Sequence, residues 1–160
     1  MPRIATIGVY GFTEATFLTA LRRNDVRMLL DVRERRGVRG SEYRWANSRR
    51  LQAALAEARI DYRHHKELAP TTELRQLQYR EDDRLGVGQR SRVELAPEFR
   101  ERYTREILDR ADLGEIVAEL PREGVAALLC VERDAEACHR SIVAERLAAE
   151  YGAAVSHIRP

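Results

Sequence analysis

The sequence predicts an α/β fold: one domain over residues 1–160, built on a mostly parallel sheet of about five strands with helices on both faces. Three observations carry that reading. Short apolar runs alternate with segments whose apolar residues recur at helical spacing. The run "GVAALLCV" is apolar throughout, as befits a strand covered on both faces, rather than alternating like a strand with one wet face. At 160 residues a chain buries roughly two-thirds of the surface it exposes when unfolded, enough for one sizeable core.

"RIATIGVYG" reads as a first strand closed by a tight turn, and "TEATFLTALRR" as a helix capped by Thr13 with Phe17, Leu18 and Leu21 facing inward. Residues 26–32, "VRMLLDV", form a second strand followed by a loop containing Gly37 and Gly40. Asn47 then caps a helix carrying Leu51, Ala54, Leu55 and Ala58, and "IDYRHH" returns to an extended pattern. The next segment, "KELAPTTELRQLQYREDDRLGVGQRSRVELAP", holds Pro70, Gly86, Gly88 and Pro97 and is expected to be a long connection, either a lid or binding loop or a disordered segment. Pro97 suits the first position of a helix through "EFRERYTREILDR", striped by Phe99, Tyr103, Ile107 and Leu108. "GVAALLCV" is the central strand. "CHRSIVAERLAAEY" is the last helix, stopped by Gly152, and "AAVSHI" the last strand.

The charge balance is nearly even, 28 Lys+Arg against 26 Asp+Glu, so bulk charge argues for neither nucleic acid nor an anionic membrane surface. Any anion binding must come from local clustering. No apolar run reaches the roughly 20 residues of a membrane span, and "MPRIATIGVYGF" lacks the regions of a signal peptide, so a cytoplasmic protein with no membrane partner is expected. In that compartment the two cysteines are expected as free thiols.

Ligands of open α/β sheets settle outside the carboxyl ends of the strands, where loops and helix N-termini converge. Three predicted strands deliver polar groups there: Asp31 and Arg33 after the second, His64, His65 and Glu67 after the third, and Cys130, Glu132 and Arg133 after the central one. His139 and Arg140 fall in the first turn of the last helix, where a cation is disfavoured unless an anion sits beside it. Arg140 offers a planar fork for a phosphate or carboxylate, or else closes the loop on Glu132, Asp134 or Glu136. Cys130 reads as an apolar filler at a strand end, and Cys138, at a helix N-terminus, as the better candidate for a reactive thiol. Cys130, Cys138 and His139 could also ligate zinc with a further ligand such as His64, His65 or Glu132, although their spacing follows no common zinc pattern.

The stretch "RERRGVRGSEYRWANSRR" is strongly basic and contains Tyr43 and Trp45. Arginines neutralise phosphates and aromatic rings stack bases, which suits single-stranded or flipped-out nucleic acid; alternatively Trp45 pins a solvated loop to the core. With "VGQRSR" this loop would make a positive rim around the sheet edge.

Several of these stretches carry a resemblance. "TIG" before a turn, "LLDVR", "YRHHKELAP" and above all "LLCVERDAEACHRSIVAERL" resemble the DUF488 family of small bacterial and archaeal proteins, and "GSEYRWANSRRLQAALAEARIDY" resembles one branch of it. The resemblance spans nearly the whole chain and implies a compact α/β domain, while the family name records an unknown function. It marks Asp31, Arg33, Tyr43, Cys130, Glu132, Cys138, His139 and Arg140. Many members read Gly-His-Ser after the first strand; this chain has Gly8, Val9 and Tyr10 and lacks that histidine.

Two functions follow as expectations. In the first, Asp31, Arg33, Glu132, His139 and Arg140 line one pocket that binds a phosphate-bearing or otherwise anionic ligand, a nucleotide or nucleic-acid fragment. Arg33, Tyr43, Cys138 and Arg140 hold the ligand, Asp31 or Glu132 acts as base and His139 as acid or orienting group, in a hydrolase or transferase reaction. In the second, the arginine-rich loops of a non-catalytic module bind nucleic acid or a protein, and the Cys-His-Arg segment is a structural network. The sequence specifies no cofactor and no oligomeric state.

Overall fold

The apolar runs pair into one five-stranded, all-parallel sheet in a computed structural model that describes residues 2–160. The strands are β1 (Arg3–Ile7), β2 (Val26–Asp31), β3 (Asp61–His64), β4 (Val125–Leu129) and β5 (Ala154–Ile158), ordered β3-β2-β4-β1-β5. β4 is buried at every position, as its unbroken apolar run requires, and lies between β2 and β1. β3, at one edge, is exposed or half-buried along its length, as its polar sequence "DYRH" allows.

Alternation along the strands divides the interior into two cores. Ala127 and Leu129 of β4 face one layer with Phe17 and Leu21 of α1 (Glu14–Arg23) and Leu51 and Leu55 of α2 (Ser48–Glu57). Ala126 and Leu128 face the other, with Leu74 and Leu77 of α3 (Thr72–Leu85), Phe99 and Tyr103 of α4 (Pro97–Glu106), Leu113 and Ile116 of α5 (Leu113–Glu119), and Ile142 and Leu147 of α6 (His139–Tyr151).

α1 begins with a capping box, Thr13 accepting from the Thr16 amide while the Thr16 hydroxyl accepts from the Thr13 amide. Asn47 stands at the N-cap of α2, but its Oδ1 accepts from the Val38 amide at 2.8 Å and so ties down the preceding loop instead of the helix turn.

The segment expected as a long connection is largely ordered: α3 occupies Thr72–Leu85, capped by the Thr71 hydroxyl and ended by Gly86 in the left-handed region at φ 71°. Its buried face holds Gln78 and Asp82 beside Leu74 and Leu77, and those polar residues interrupt the apolar period that would have revealed it. The helix from Pro97 ends at Glu106, with Leu108 in a short 3-10 turn, and α5 is a further helix capped by Asp112. Among the described residues no helix is long and apolar enough to cross a membrane.

The two cores set the direction of the loops. Chain leaving β1 and β2 turns toward the α1–α2 layer, while chain leaving β3 and β4 turns toward the opposite layer, so a crevice opens at the carboxyl edge of the sheet.

Leu128, fully buried at the sheet centre, tests the central assignment. Leu128→Ala is expected to cost about 2–5 kcal/mol, read as a lower denaturant midpoint with an unchanged slope.

Candidate functional site

The crevice is a cavity of about 810 Å³ lined by chain following all four inner crossovers: Tyr10 after β1, residues 33–39 after β2, parts of α3 and the 88–95 loop, and residues 130–139 after β4. Of the residues marked from the sequence, Arg33, Cys130, Glu132, Cys138 and His139 line it. Asp31 and Arg140 are not in the lining. They are buried, at 0% and 1% exposure, where they hold the lining from behind.

Parallel pairing sets the first contact. Asp31 of β2 lies in register with Leu129 of β4, and the pairing continues one residue on, the Val32 amide donating to the Leu129 carbonyl at 3.1 Å. The chain after β2 therefore runs beside the chain after β4. Asp31 accepts from Arg33 through both carboxylate oxygens, 2.9 Å from Nε and 2.8 Å from Nη2, and from the Tyr62 hydroxyl at 2.6 Å. Arg33 Nη1 donates to the Ala46 carbonyl at 3.0 Å, so its guanidinium is fully engaged inside the protein. Burial alone would lower the Arg33 pKa, but the Asp31 carboxylate more than offsets it and the net direction is upward. His64 supports the same loop by donating from Nε2 to the Arg33 carbonyl at 2.7 Å. His65 pairs with Glu67 and is not part of the lining.

Arg140 reaches back from the first turn of α6 to the loop after β4. Nη1 donates to the Glu132 carbonyl at 2.8 Å and Nη2 to the Arg133 carbonyl at 3.3 Å, while Asp134 and Glu136 pair with Arg159. Among the described residues Arg140 has no carboxylate partner, so a full positive charge is buried beneath the cavity floor. The approach requires Gly8: a Cβ there would lie 1.9 Å from the Glu132 carbonyl oxygen and 3.2 Å from Arg140 Nη2.

The floor itself is Cys130, Cys138, His139 and Glu132. His139 Nε2 lies 2.9 Å from the Val32 carbonyl, which can only accept, so Nε2 carries a proton and Nδ1 faces the sulfurs. Nδ1 is 3.6 Å from Cys138 Sγ and 3.9 Å from Cys130 Sγ. The two thiols differ electrostatically. The contact with Cys138, together with burial, pushes the Cys130 thiol well up. Burial also acts to raise the Cys138 thiol, but the Cys130 contact and the His139 and Arg140 charges outweigh it and hold Cys138 well below the usual thiol range. Burial would lower the His139 pKa, yet the neighbouring Cys138 sulfur raises it overall.

Glu132 is 7% exposed, and burial, with the Cys138 charge second, raises its carboxyl pKa. Its Oε1 accepts from Gln89 at 3.1 Å and Arg92 at 3.3 Å, and its Oε2 is buried without a hydrogen-bond partner among the described residues. Arg92 is held more tightly by Asp82, at 2.7 Å and 3.0 Å, and also donates to the Ala137 carbonyl. The sequence places Arg92, within "VGQRSR", on a positive rim, whereas it is buried and paired with Asp82 and Glu132; Gln78 and Asp82 carry no mark in the sequence, and their i, i+4 spacing is the one signal that joins them.

The rim is basic. Six arginines and two glutamates line the cavity, and Arg35 and Arg39 are exposed with no ion-pair partner among the described residues. Arg90 stacks over the rings of Tyr10 and Tyr43, at 5.0 Å and 5.3 Å from their centroids. Tyr43 thus acts on the rim from outside the lining. Trp45 is 5% exposed and packs on Phe17 with centroids 4.9 Å apart, so it anchors the basic loop to the core and is not a base-stacking platform.

Removing one partner of the Asp31–Arg33 pair strands a buried charge. Asp31→Ala is expected to cost about 3–5 kcal/mol in denaturant unfolding, and a double replacement of Asp31 and Arg33 by apolar residues is expected to recover most of that loss.

A family model described as Domain of unknown function DUF488 matches residues 14–147. No curated protein matches the chain, and no solved structure does. The matched span runs from the start of α1 to near the end of α6 and contains every residue of the cavity lining except Tyr10. The α/β chain described here belongs to the DUF488 family.

Proposed function

We propose that the cavity binds a small phosphate-bearing ligand, of nucleotide size, and holds its reacting end against Glu132, Cys138 and His139. The observation that carries this reading is the polarity of the cavity: cations ring its mouth while its floor gathers a thiol, an imidazole and a carboxylate. A volume of about 810 Å³ lies within the range of small-molecule sites, about 300–1,000 Å³.

Arg35, Arg39 and Arg90 take the anion, because they face solvent at the mouth and, unlike Arg33 and Arg140, are not engaged with buried groups. Arg90 is preorganised by the two tyrosine rings beneath it, which reduces the freedom it would lose on binding. Asp31, Arg33 and Arg140 act as positioning residues that fix the floor. Glu132 serves as the general base, its Oε2 being the free acceptor, and His139 orients Cys138 in a hydrolytic or group-transfer reaction.

The alternative, a nucleic-acid module, draws on the exposed Arg39, Arg44 and Arg49 but lacks an exposed aromatic platform at Trp45.

Calorimetric titration separates the two. A nucleoside diphosphate is expected to bind, and the double variant Arg39→Ala/Arg90→Ala to weaken it about tenfold or more with an unchanged melting temperature, since both side chains are exposed. Equal affinity in the variant overturns the pocket. Preferential binding of long single strands, with affinity falling steeply in salt and lost on replacing Arg39, Arg44 and Arg49, establishes the module instead.

A further inference from the structure

We propose that Cys130, Cys138 and His139 form a three-ligand site for a zinc-class divalent cation, with the fourth coordination position open to the arginine-rimmed cavity. Cys130 Sγ, Cys138 Sγ and His139 Nδ1 lie within 4.8 Å of one another and all three residues are buried. With zinc–sulfur bonds of about 2.3 Å and zinc–nitrogen bonds of about 2.0–2.1 Å, tetrahedral coordination requires sulfur–nitrogen separations of about 3.6 Å. The separations found are 3.6 Å and 3.9 Å. One ion bound to all three donors accounts for both.

In neutral imidazole Nδ1 has a single lone pair, so hydrogen bonding to the ring satisfies one of the two sulfurs that converge on it, whereas one cation binds all three donors. The orientation of the ring also suits a ligand. His139 Nε2–H donates to the Val32 carbonyl at 2.9 Å, which fixes the tautomer that leaves Nδ1 free, as the second ring nitrogen of a metal-bound histidine ordinarily does. Two thiols and an imidazole are a donor set for a soft or borderline ion such as zinc, not for magnesium or calcium.

Glu132 supplies an independent observation. It lies outside the mutually close set, lines the same cavity and keeps Oε2 buried without a partner. Three protein ligands beside a buried carboxylate that keeps one oxygen unpartnered match an open, catalytic zinc site better than a closed structural one. An ion there would polarise a ligand oxygen at the floor; that use rests on the phosphate-binding reading above, whereas binding of the ion does not.

The test uses the full chain, purified with reductant, stripped with chelator and titrated with cobalt(II) and zinc(II) in the absence of any phosphate ligand. The expected result is about one equivalent bound per chain, with the intense visible bands of tetrahedral cobalt and a near-ultraviolet thiolate-to-cobalt band. Cys138→Ser and His139→Ala should each lose those bands, while Arg39→Ala/Arg90→Ala should keep them even if it no longer binds a nucleoside diphosphate. Because the floor variants replace buried side chains, thiol counting on the native wild-type protein provides a second readout: Cys130 and Cys138 should be protected from a thiol reagent by zinc and exposed to it on chelation. Failure to bind either ion, bands that survive Cys138→Ser, or thiol reactivity indifferent to zinc overturns the site, and nucleoside diphosphate binding measured separately stands or falls on its own.

Discussion

The geometry of the site depends on one constraint, the parallel pairing of β2 with β4 at a register that sets Asp31 beside Leu129. Because both strands run the same way, both end at the same edge, and the residues just past their ends are neighbours by construction. Val32 then offers its carbonyl to His139, Asp31 and Arg33 close the β2 loop, and Cys130 enters the floor. A slip of one residue would turn every side chain of β2 to the opposite face and remove those contacts together. The apolar strands that build the two cores therefore also fix the polar residues that follow them.

Burial at this edge gives the charges different fates. Arg33 is matched by a carboxylate and Arg92 by two, so both are neutralised inside the protein. Arg140 is satisfied only by carbonyl dipoles, and its uncompensated charge is one of the influences that draw the Cys138 thiol downward. In a poorly solvated interior such fields act more strongly than they would in water. The same burial that makes unmatched polar atoms costly leaves Glu132 Oε2 and Arg140 Nε without partners beside the floor, an arrangement more typical of a site shaped for an occupant than of a core shaped for stability.

Strand and helix order was readable for the most apolar elements. "GVAALLCV" and residues 26–32 are short apolar runs and the final helix carries apolar residues at helical spacing, and the structure realises them as β4, β2 and α6. α3 was not readable because Gln78 and Asp82 occupy its buried face, where they satisfy each other, the Ala96 amide and Arg92. Periodicity measures hydrophobicity, and a face buried through hydrogen bonds leaves no such trace. In the site, the sequence marked Cys130, Glu132, Cys138 and His139 by their places after a strand and at a helix start. It also offered the loop-closing role that Arg140 takes, through the Glu132 carbonyl and not a carboxylate, but held no sign that Arg33 turns inward or that Arg90 stands over Tyr10 and Tyr43.

By itself, then, the sequence determined the alternation of elements, the parallel sheet and the edge at which polar residues collect, because those follow from local period and from the direction in which a crossover must return. Only the tertiary structure decided which charges meet. Asp31 finds its partner two residues away, but Glu132 meets Gln89 and Arg92 across 43 and 40 residues, and His139 meets Val32 across 107. No local preference encodes such pairings; they arise when packed layers bring distant loops within hydrogen-bond reach and exclude the water that would otherwise satisfy them.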